Sequence, residues 1–157
     1  MRSRLLILGA ALPLLLAVSC AKGGFTEVCD LPGSQWPAEW AINFEFTPSD
    51  TVSRNNIDLI VRHGRNEVPA SLTLEVKTVA PSLLFWCDTI SAPLRDADGK
   101  WIGKEFSAGI DLSVNYRRNA VFGESGKYGI AIRQLQSPDT LRCVMAVGAS
   151  VYPAQNR

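Results

Sequence analysis

Apolar side chains recur at every second position in four stretches of this chain, and that period constrains the fold more than any other feature. Successive side chains of a β-strand point to opposite faces, so each stretch would have one apolar face and one wet face. This is typical of antiparallel strands in a half-buried sheet. The alternating residues are Ile42, Phe44 and Phe46; Ile57, Leu59 and Val61; Leu72, Leu74 and Val76; and Tyr128, Ile130 and Ile132.

Three further stretches are apolar but less regular. Residues 83–90 and 141–152 are apolar on both faces for several positions, which predicts central strands, and residues 110–114 predict another strand. Turn-forming residues separate the stretches, and no apolar residues after the N-terminal region keep a helical spacing. The chain is therefore predicted to be all-β, a two-sheet antiparallel β-sandwich of about seven or eight strands, similar to a jelly roll.

The N-terminal segment has the composition of a secretion signal. Arg2 and Arg4 supply a positive start, and residues 5–18 form an uncharged, mostly apolar run. That run is shorter than the roughly 20 residues that cross a bilayer as a helix. It ends in small or β-branched residues before Cys20, which resembles the lipobox of bacterial lipoproteins. We expect a signal peptide at 1–19 and lipidation at Cys20, the alternative being an ordinary cleavage site beside a chance cysteine.

Cleavage before Cys20 would leave residues 20–157, a length that fits one domain with its own core. Residues 20–30 are predicted to be the lipidated cysteine and a tether, since 21–24 contain two glycines and no periodicity. Residues 31–157 are predicted to form a single β-sandwich domain. Without the two arginines of the signal, the remaining basic side chains nearly balance the 15 acidic ones, so nucleic acid is not an expected partner.

Three cysteines follow the expected cleavage site, namely Cys29, Cys87 and Cys143. The compartment beyond the inner membrane permits disulfides, but an odd number leaves at least one thiol unpaired. Their spacing matches no zinc pattern. The sequence leaves two interpretations open, a disulfide between two of them or three small buried hydrophobic side chains.

No arrangement of residues indicates catalysis. His63 is the only histidine, and its polar neighbours predict a surface loop. A hydrolase without histidine needs paired carboxylates or a lysine base, and no acidic pair lies in an apolar context that would raise a pKa. Residues 96–99 are similar to the start of a calcium loop, but their glycine comes too early, so an Asp-Gly turn explains them more simply. We expect no enzyme activity, no cofactor, no metal site and no small-molecule substrate.

Four tryptophans are the remaining candidates for a binding site. Trp86 lies in an apolar stretch and is expected in the core. Trp36 and Trp40 border a proline-containing turn, where indoles often cover the open end of a sandwich. A concave strip of exposed Trp36, Trp40 and Trp101 would instead indicate a lipid-anchored carbohydrate-binding module, which is the alternative function.

Several segments of the mature chain, taken in order, resemble one family. They include Leu31-Pro32-Gly33-Ser34-Gln35-Trp36, then 42–46, a strand ending in Arg62, 68–76, 98–104, 121–128, 130–134 and 147–149. The series covers nearly the whole mature chain and follows the lipobox-like motif at Cys20. In these segments the chain is similar to the gliding-motility lipoprotein family GldH of Bacteroidetes.

This resemblance implies a non-enzymatic accessory lipoprotein that binds other envelope proteins of the gliding or type IX secretion machinery. Such a partner would need a flat apolar patch or an unpaired sheet edge. Cys20 is the one functional residue that the resemblance transfers. Retention of a lipoprotein at the inner membrane calls for an aspartate directly after the cysteine, and export to the cell surface usually goes with an acidic cluster nearby. Residues 21–24 contain neither, so we expect an outer-membrane lipoprotein that faces the periplasm.

Overall fold

The alternating stretches form two antiparallel sheets packed face to face in the computed structural model, which describes residues 24–136 and 139–155. The strands are β1 (Phe25–Asp30), β2 (Gln35–Pro37), β3 (Ile42–Phe46), β4 (Arg54–His63), β5 (Ser71–Val79), β6 (Phe85–Pro93), β7 (Lys104–Glu105), β8 (Ile110–Val121), β9 (Tyr128–Gln134), β10 (Thr140–Arg142) and β11 (Val144–Pro153). One sheet has the strand order β1-β11-β4-β8-β7, the other has the order β3-β9-β5-β6, and β2 and β10 form a separate two-stranded ribbon.

The predicted all-β sandwich class is confirmed, with more strands than expected. Among the described residues, helical geometry is limited to one 3-10 turn at Pro32–Ser34. Three of the additional strands, β2, β7 and β10, have only two or three residues each. An element of that length cannot show a repeating hydrophobic pattern, so periodicity does not find it.

The alternating side chains build the core between the sheets. Leu72, Leu74 and Val76 of β5 are fully buried, and the polar residues between them are not. Phe44 and Phe46 of β3 are buried as well, as the alternation predicts. β11 is buried on both faces and lies between β1 and β4, which confirms the prediction of a central strand for residues 144–152. Residues 141 and 142 of the predicted stretch belong instead to β10, in the ribbon.

The prediction of a central strand at residues 83–90 is wrong. The strand there, β6, lies at the edge of its sheet and pairs only with β5. Its inward residues Trp86 and Ile90 pack partly buried against the core. The other apolar residues of the strand within this stretch, Phe85 and Cys87, point outward and are exposed, Phe85 to 61%. An edge strand with exposed apolar residues therefore has the same local pattern as a central one.

Residues 25–30, which the sequence places in the tether, form β1. This strand pairs with β11 from Phe25↔Val151 to Asp30↔Ala146. Five of its six residues are exposed, so it has no alternation to detect. Phe25 stacks on Phe46 at 5.5 Å between ring centroids and joins β1 to the core.

The predicted signal peptide at 1–19, Cys20 and residues 21–23 lie outside the described residues. Within 24–136 and 139–155, the chain has no helix with the length and hydrophobicity to cross a membrane.

Candidate functional site

One long side of the sandwich is open between β6 and β8. β6 pairs only with β5, and on the outer side of β8 only Ile110 and Asp111 are paired, with β7. Within the described residues, no strand pairs with the outer side of residues 112–121. Two unpaired backbone edges therefore border the same opening. We call this opening, between β6 and residues 112–121, the seam.

A hydrogen-bonded cluster of polar side chains closes the middle of the seam. The carboxylate of Asp88 on β6 accepts hydrogen bonds from the Tyr116 hydroxyl and, at 2.7 Å, from Nη2 of Arg117 on β8. The bonds from Tyr116 and Arg117 lower the pKa of Asp88, whereas burial raises the pKa of Tyr116. At neutral pH the cluster consequently holds an ionised carboxylate, a neutral phenol and a guanidinium.

Irregular pairing of β8 with β4 explains how two consecutive residues reach Asp88. Between the pairs Asp58↔Asn115 and Ile57↔Arg117, β8 has one extra residue, Tyr116. Side chains of consecutive residues point to opposite faces in a regular strand, and a β-bulge removes that restriction by bending the strand. A second irregularity follows toward the end of β8, where Asn119 has a φ of 56°.

The lining of the seam combines apolar, basic and acidic side chains, with a single carboxylate. The seam contains a cleft of about 530 Å³ lined by Asp88, Thr89, Ile90 and residues 116–120. Asp88 is the only acid in this lining, and its low pKa keeps it ionised. In the described parts of the chain, no group of three or more His, Cys, Asp or Glu side chains is arranged to hold a metal ion.

An apolar protrusion continues from the seam. The β5–β6 turn carries Leu83 and Leu84, which are 78% and 69% exposed, and Phe85 begins β6 directly after them. We call these three residues the apolar tip. The Nζ atom of Lys77 lies 4.2 Å from the centroid of the Phe85 ring, a cation–π contact that holds this ring against β5.

His63 is not in a surface loop, so that prediction is wrong. It is the last residue of β4 and is fully buried. Its Nδ1 donates a hydrogen bond of 2.7 Å to the Gly64 carbonyl, its Nε2 has no partner, and its ring lies 5.0 Å from that of Trp101. Burial lowers the pKa of His63 and outweighs the opposing effect of the Gly64 bond. A neutral, buried histidine with these contacts has a structural role.

The four tryptophans do not form a sugar-binding strip. Trp36 is fully buried and donates through Nε1 to the Trp40 carbonyl at 2.9 Å, while Trp40 itself is 43% exposed. Trp101 is half-buried, with the Arg95 guanidinium 3.4 Å from its ring centroid. Trp86 is partly buried against the core. The arrangement that would indicate a carbohydrate-binding module is therefore not formed.

Comparison with known proteins identifies the family. The model of the GldH lipoprotein family matches residues 24–151, a range that begins just before β1 and ends within β11. The chain belongs to the GldH lipoprotein family. The resemblance seen in the sequence is confirmed by this match.

Two relatives of this GldH-family chain carry descriptive names. The gliding motility lipoprotein GldH homolog of Christiangramia forsetii is 26% identical over 100 residues, which cover 64% of this chain and 62% of that protein. This chain thus spans less than two thirds of that relative. The gliding motility lipoprotein GldH of Flavobacterium johnsoniae is 26% identical over 120 residues, 76% of this chain and 74% of its own length.

One solved structure is weakly similar to this GldH-family chain. The infectious bursal disease virus VP2 subviral particle aligns with 84% of this chain and 33% of its own, at 11% identity and a TM-score of 0.36. A likeness of that size supports no conclusion about fold or function.

The three cysteines that the structure describes do not define a site in this GldH-family chain. Cys29 and Cys87 are exposed and Cys143 is half-buried, and all three are free thiols. Neither of the two interpretations of the sequence therefore describes them fully. Residues 96–99 form the expected turn, in which the Gly99 amide donates to the Asp96 carbonyl at 3.0 Å.

Sequence reasoning missed Asp88, Tyr116 and Arg117. The available signal was Asp88 itself, a lone acid within the apolar stretch 83–90. Such an acid needs a partner when it lies on a half-buried strand. The partners lie 28 and 29 positions away, and the bulge that brings them together leaves no pattern in the sequence.

Proposed function

We propose that this chain is a lipid-anchored component of the gliding-motility or type IX secretion machinery and acts without catalysis, by binding other envelope proteins. Membership of the GldH lipoprotein family and the names of the two relatives support the motility role. A signal peptide at 1–19 and acylation of Cys20 would supply the anchor.

The seam is the surface that we assign to the protein partner. Unpaired N–H and C=O groups along a strand edge are a template for a strand from another chain, and the side chains beside that edge select the sequence that binds. β6 offers nine residues of such an edge, and the cleft beside it contains apolar, acidic and basic groups. The two unpaired edges that border one cleft are the observation that carries this assignment.

We place the protein on the periplasmic leaflet of the outer membrane, on the basis of the residues that follow Cys20. Since β1 begins at Phe25, the tether comprises residues 21–24. A flexible segment of that length reaches about 10–12 Å. The folded part of the chain would therefore lie next to the bilayer, close to membrane-bound partners.

Site-specific photocrosslinking tests the seam. A photoreactive phenylalanine analogue is introduced at Thr89, which lines the cleft and is exposed, and separately at Asn43, an exposed position on β3 at the other edge of the same sheet. We expect a discrete adduct with an envelope protein from position 89 only. The adduct should weaken when Arg118, an exposed residue of the same cleft lining, is changed to Glu. Equal adducts at both positions, or none at position 89, would reject the seam as the interface.

A further inference from the structure

The five most exposed large hydrophobic residues of the described chain all lie at one end of the sandwich. Their exposed fractions run from 52% to 79%, whereas the other three exposed large hydrophobic residues are 40–43% exposed. Val52 lies in the β3–β4 loop and Val121 ends β8. The remaining three form the apolar tip, Leu83, Leu84 and Phe85.

This end is also where the chain enters the fold. Phe25, the first residue of β1, stacks on Phe46 at the end of β3, and Phe46 stacks on Tyr128 at the start of β9 at 5.9 Å. The neighbouring pairs in the same sheet, Val79↔Gly129 and Val79↔Phe85, lead directly to the apolar tip. We call this end, which includes Gly24, loops 47–53, 80–84 and 122–127, and the end of β11, the Gly24 end.

The turn that carries the apolar tip is firmly braced. The Leu83 amide donates to the Ala80 carbonyl at 2.9 Å, and the Ala80 amide donates to the Leu84 carbonyl at 2.8 Å. The amide and hydroxyl of Ser82 both donate to the Glu124 carboxylate, at 2.9 and 2.8 Å. These bonds tie loop 80–84 to loop 122–127, so the leucines are held outward by a defined structure.

Leu83 also occupies an unfavourable backbone conformation. Its φ is 69°, in the left-handed region that glycine adopts readily and branched side chains rarely do. Such conformations concentrate at positions with a role in binding or switching. A leucine that is both strained and 78% exposed contributes little to folding, which indicates a contact outside the chain.

The length of the tether determines which surface this end can meet. Four residue steps separate Cys20 from Gly24, and an extended chain spans at most about 3.3–3.6 Å per residue, or roughly 14 Å in all. With Cys20 acylated, as proposed above, the Gly24 end cannot move far from the bilayer. A lipid surface is therefore the apolar environment that these side chains reach first.

We propose that the Gly24 end docks on the bilayer and that the apolar tip inserts into the boundary between lipid headgroups and acyl chains. This inference rests on the proposed lipid anchor at Cys20. The anchor and the tip together would fix the orientation of the sandwich, with its strands directed away from the membrane.

Depth-dependent fluorescence quenching tests the docking. The lipidated full chain is reconstituted into vesicles of phosphatidylethanolamine and phosphatidylglycerol, with or without a lipid that carries a doxyl group near the headgroup. Leu84→Trp places an indole at the tip, and Leu135→Trp places one in the matched control position. Leu135 is 41% exposed and follows β9, at the opposite end of the sandwich. Emission of the unsubstituted chain is subtracted from each variant.

We expect the indole of Leu84→Trp to show blue-shifted emission that the doxyl lipid quenches, and that of Leu135→Trp to show neither. If the protein floats with the vesicles but the indole of Leu84→Trp is not quenched, the docking is overturned and the anchor stands. Loss of flotation would reject the anchor, and the docking with it. Shielding of the tip in native membranes but not in pure lipid would also overturn the proposal, since it would indicate a protein occupant.

Discussion

Lowering the pH through the range in which histidine titrates should destabilise this protein. His63 is fully buried, and burial lowers its pKa below the usual value near 6.5. The unfolded chain therefore binds a proton more tightly than the folded one, and stability falls as the pH drops below about 6.5. Below the pKa of His63 in the folded protein, stability no longer falls with pH, because the histidine is then protonated in both states. Above about pH 7.5 the contribution of His63 is complete.

The size of this effect follows from proton linkage. Protonation of one group changes the free energy of unfolding by at most about 1.4 kcal/mol per pH unit. Because histidine in the unfolded chain is mostly neutral above about pH 6.5, the total loss between about pH 7.5 and 5.5 is at most about 1.4 kcal/mol. His63 is the only histidine. The carboxylates with lowered pKa values, such as Asp88, lose their contribution only at lower pH. The interval therefore reports on His63 specifically.

Urea denaturation of the mature domain at a series of pH values measures the effect. With a slope of about 1–3 kcal/mol per molar urea, a loss of this size lowers the urea midpoint by roughly 0.5–1.4 M over the interval. His63→Asn is the comparison, because its amide can replace Nδ1 as the donor to Gly64 but does not titrate. Its midpoint should be lower at every pH and nearly constant with pH. Equal pH slopes in the two proteins would refute the argument.

Three further predictions concern the core, the anchor and the tip. Phe44→Ala should lower the free energy of unfolding, measured by urea denaturation, by about 3–5 kcal/mol, because Phe44 is 2% exposed. Asn43→Ala, on the opposite face of the strand, should change it by less than about 0.5 kcal/mol. Cys20→Ala should move the protein from the membrane fraction to the soluble fraction, since one or more acyl chains would be lost; a variant that still sediments after a salt wash would exclude this anchor. Leu83→Gly should stabilise the domain by up to about 1 kcal/mol through relief of its positive φ, and thermal melts that show a loss would argue against strain at this position.

The sequence predicted the strands whose one face is buried and the other wet. In β3, β4, β5 and β9 the apolar side chains alternate because the sheet itself separates core from solvent. The position of a strand within its sheet was not predictable in the same way. Residues 83–90 and 141–152 have similar apolar runs, yet β6 is an edge strand and β11 is central. The hydrophobic pattern of a strand shows which of its side chains are apolar, but it does not show whether both of its backbone edges are paired.

The candidate site was less predictable than the fold, because distant residues create it. Asp88 acquires its partners through a bulge in β8. His63 is buried although its neighbours in sequence are polar, because the ring of Trp101 lies against it and Gly109 approaches its backbone closely enough to exclude a Cβ atom. Local composition predicts exposure correctly only where no remote segment covers the residue.

The two proposed surfaces, the seam and the Gly24 end, would together restrict the partner that this protein binds. β6 begins at the apolar tip, so docking of the tip would place one end of the seam at the bilayer. At about 3.3 Å per residue, its nine residues extend roughly 30 Å. A strand that pairs with β6 would then run along the membrane normal within this distance of the lipid. On these two proposals, a protein that is itself embedded in or anchored to the same membrane would reach this edge more readily than a freely diffusing periplasmic protein.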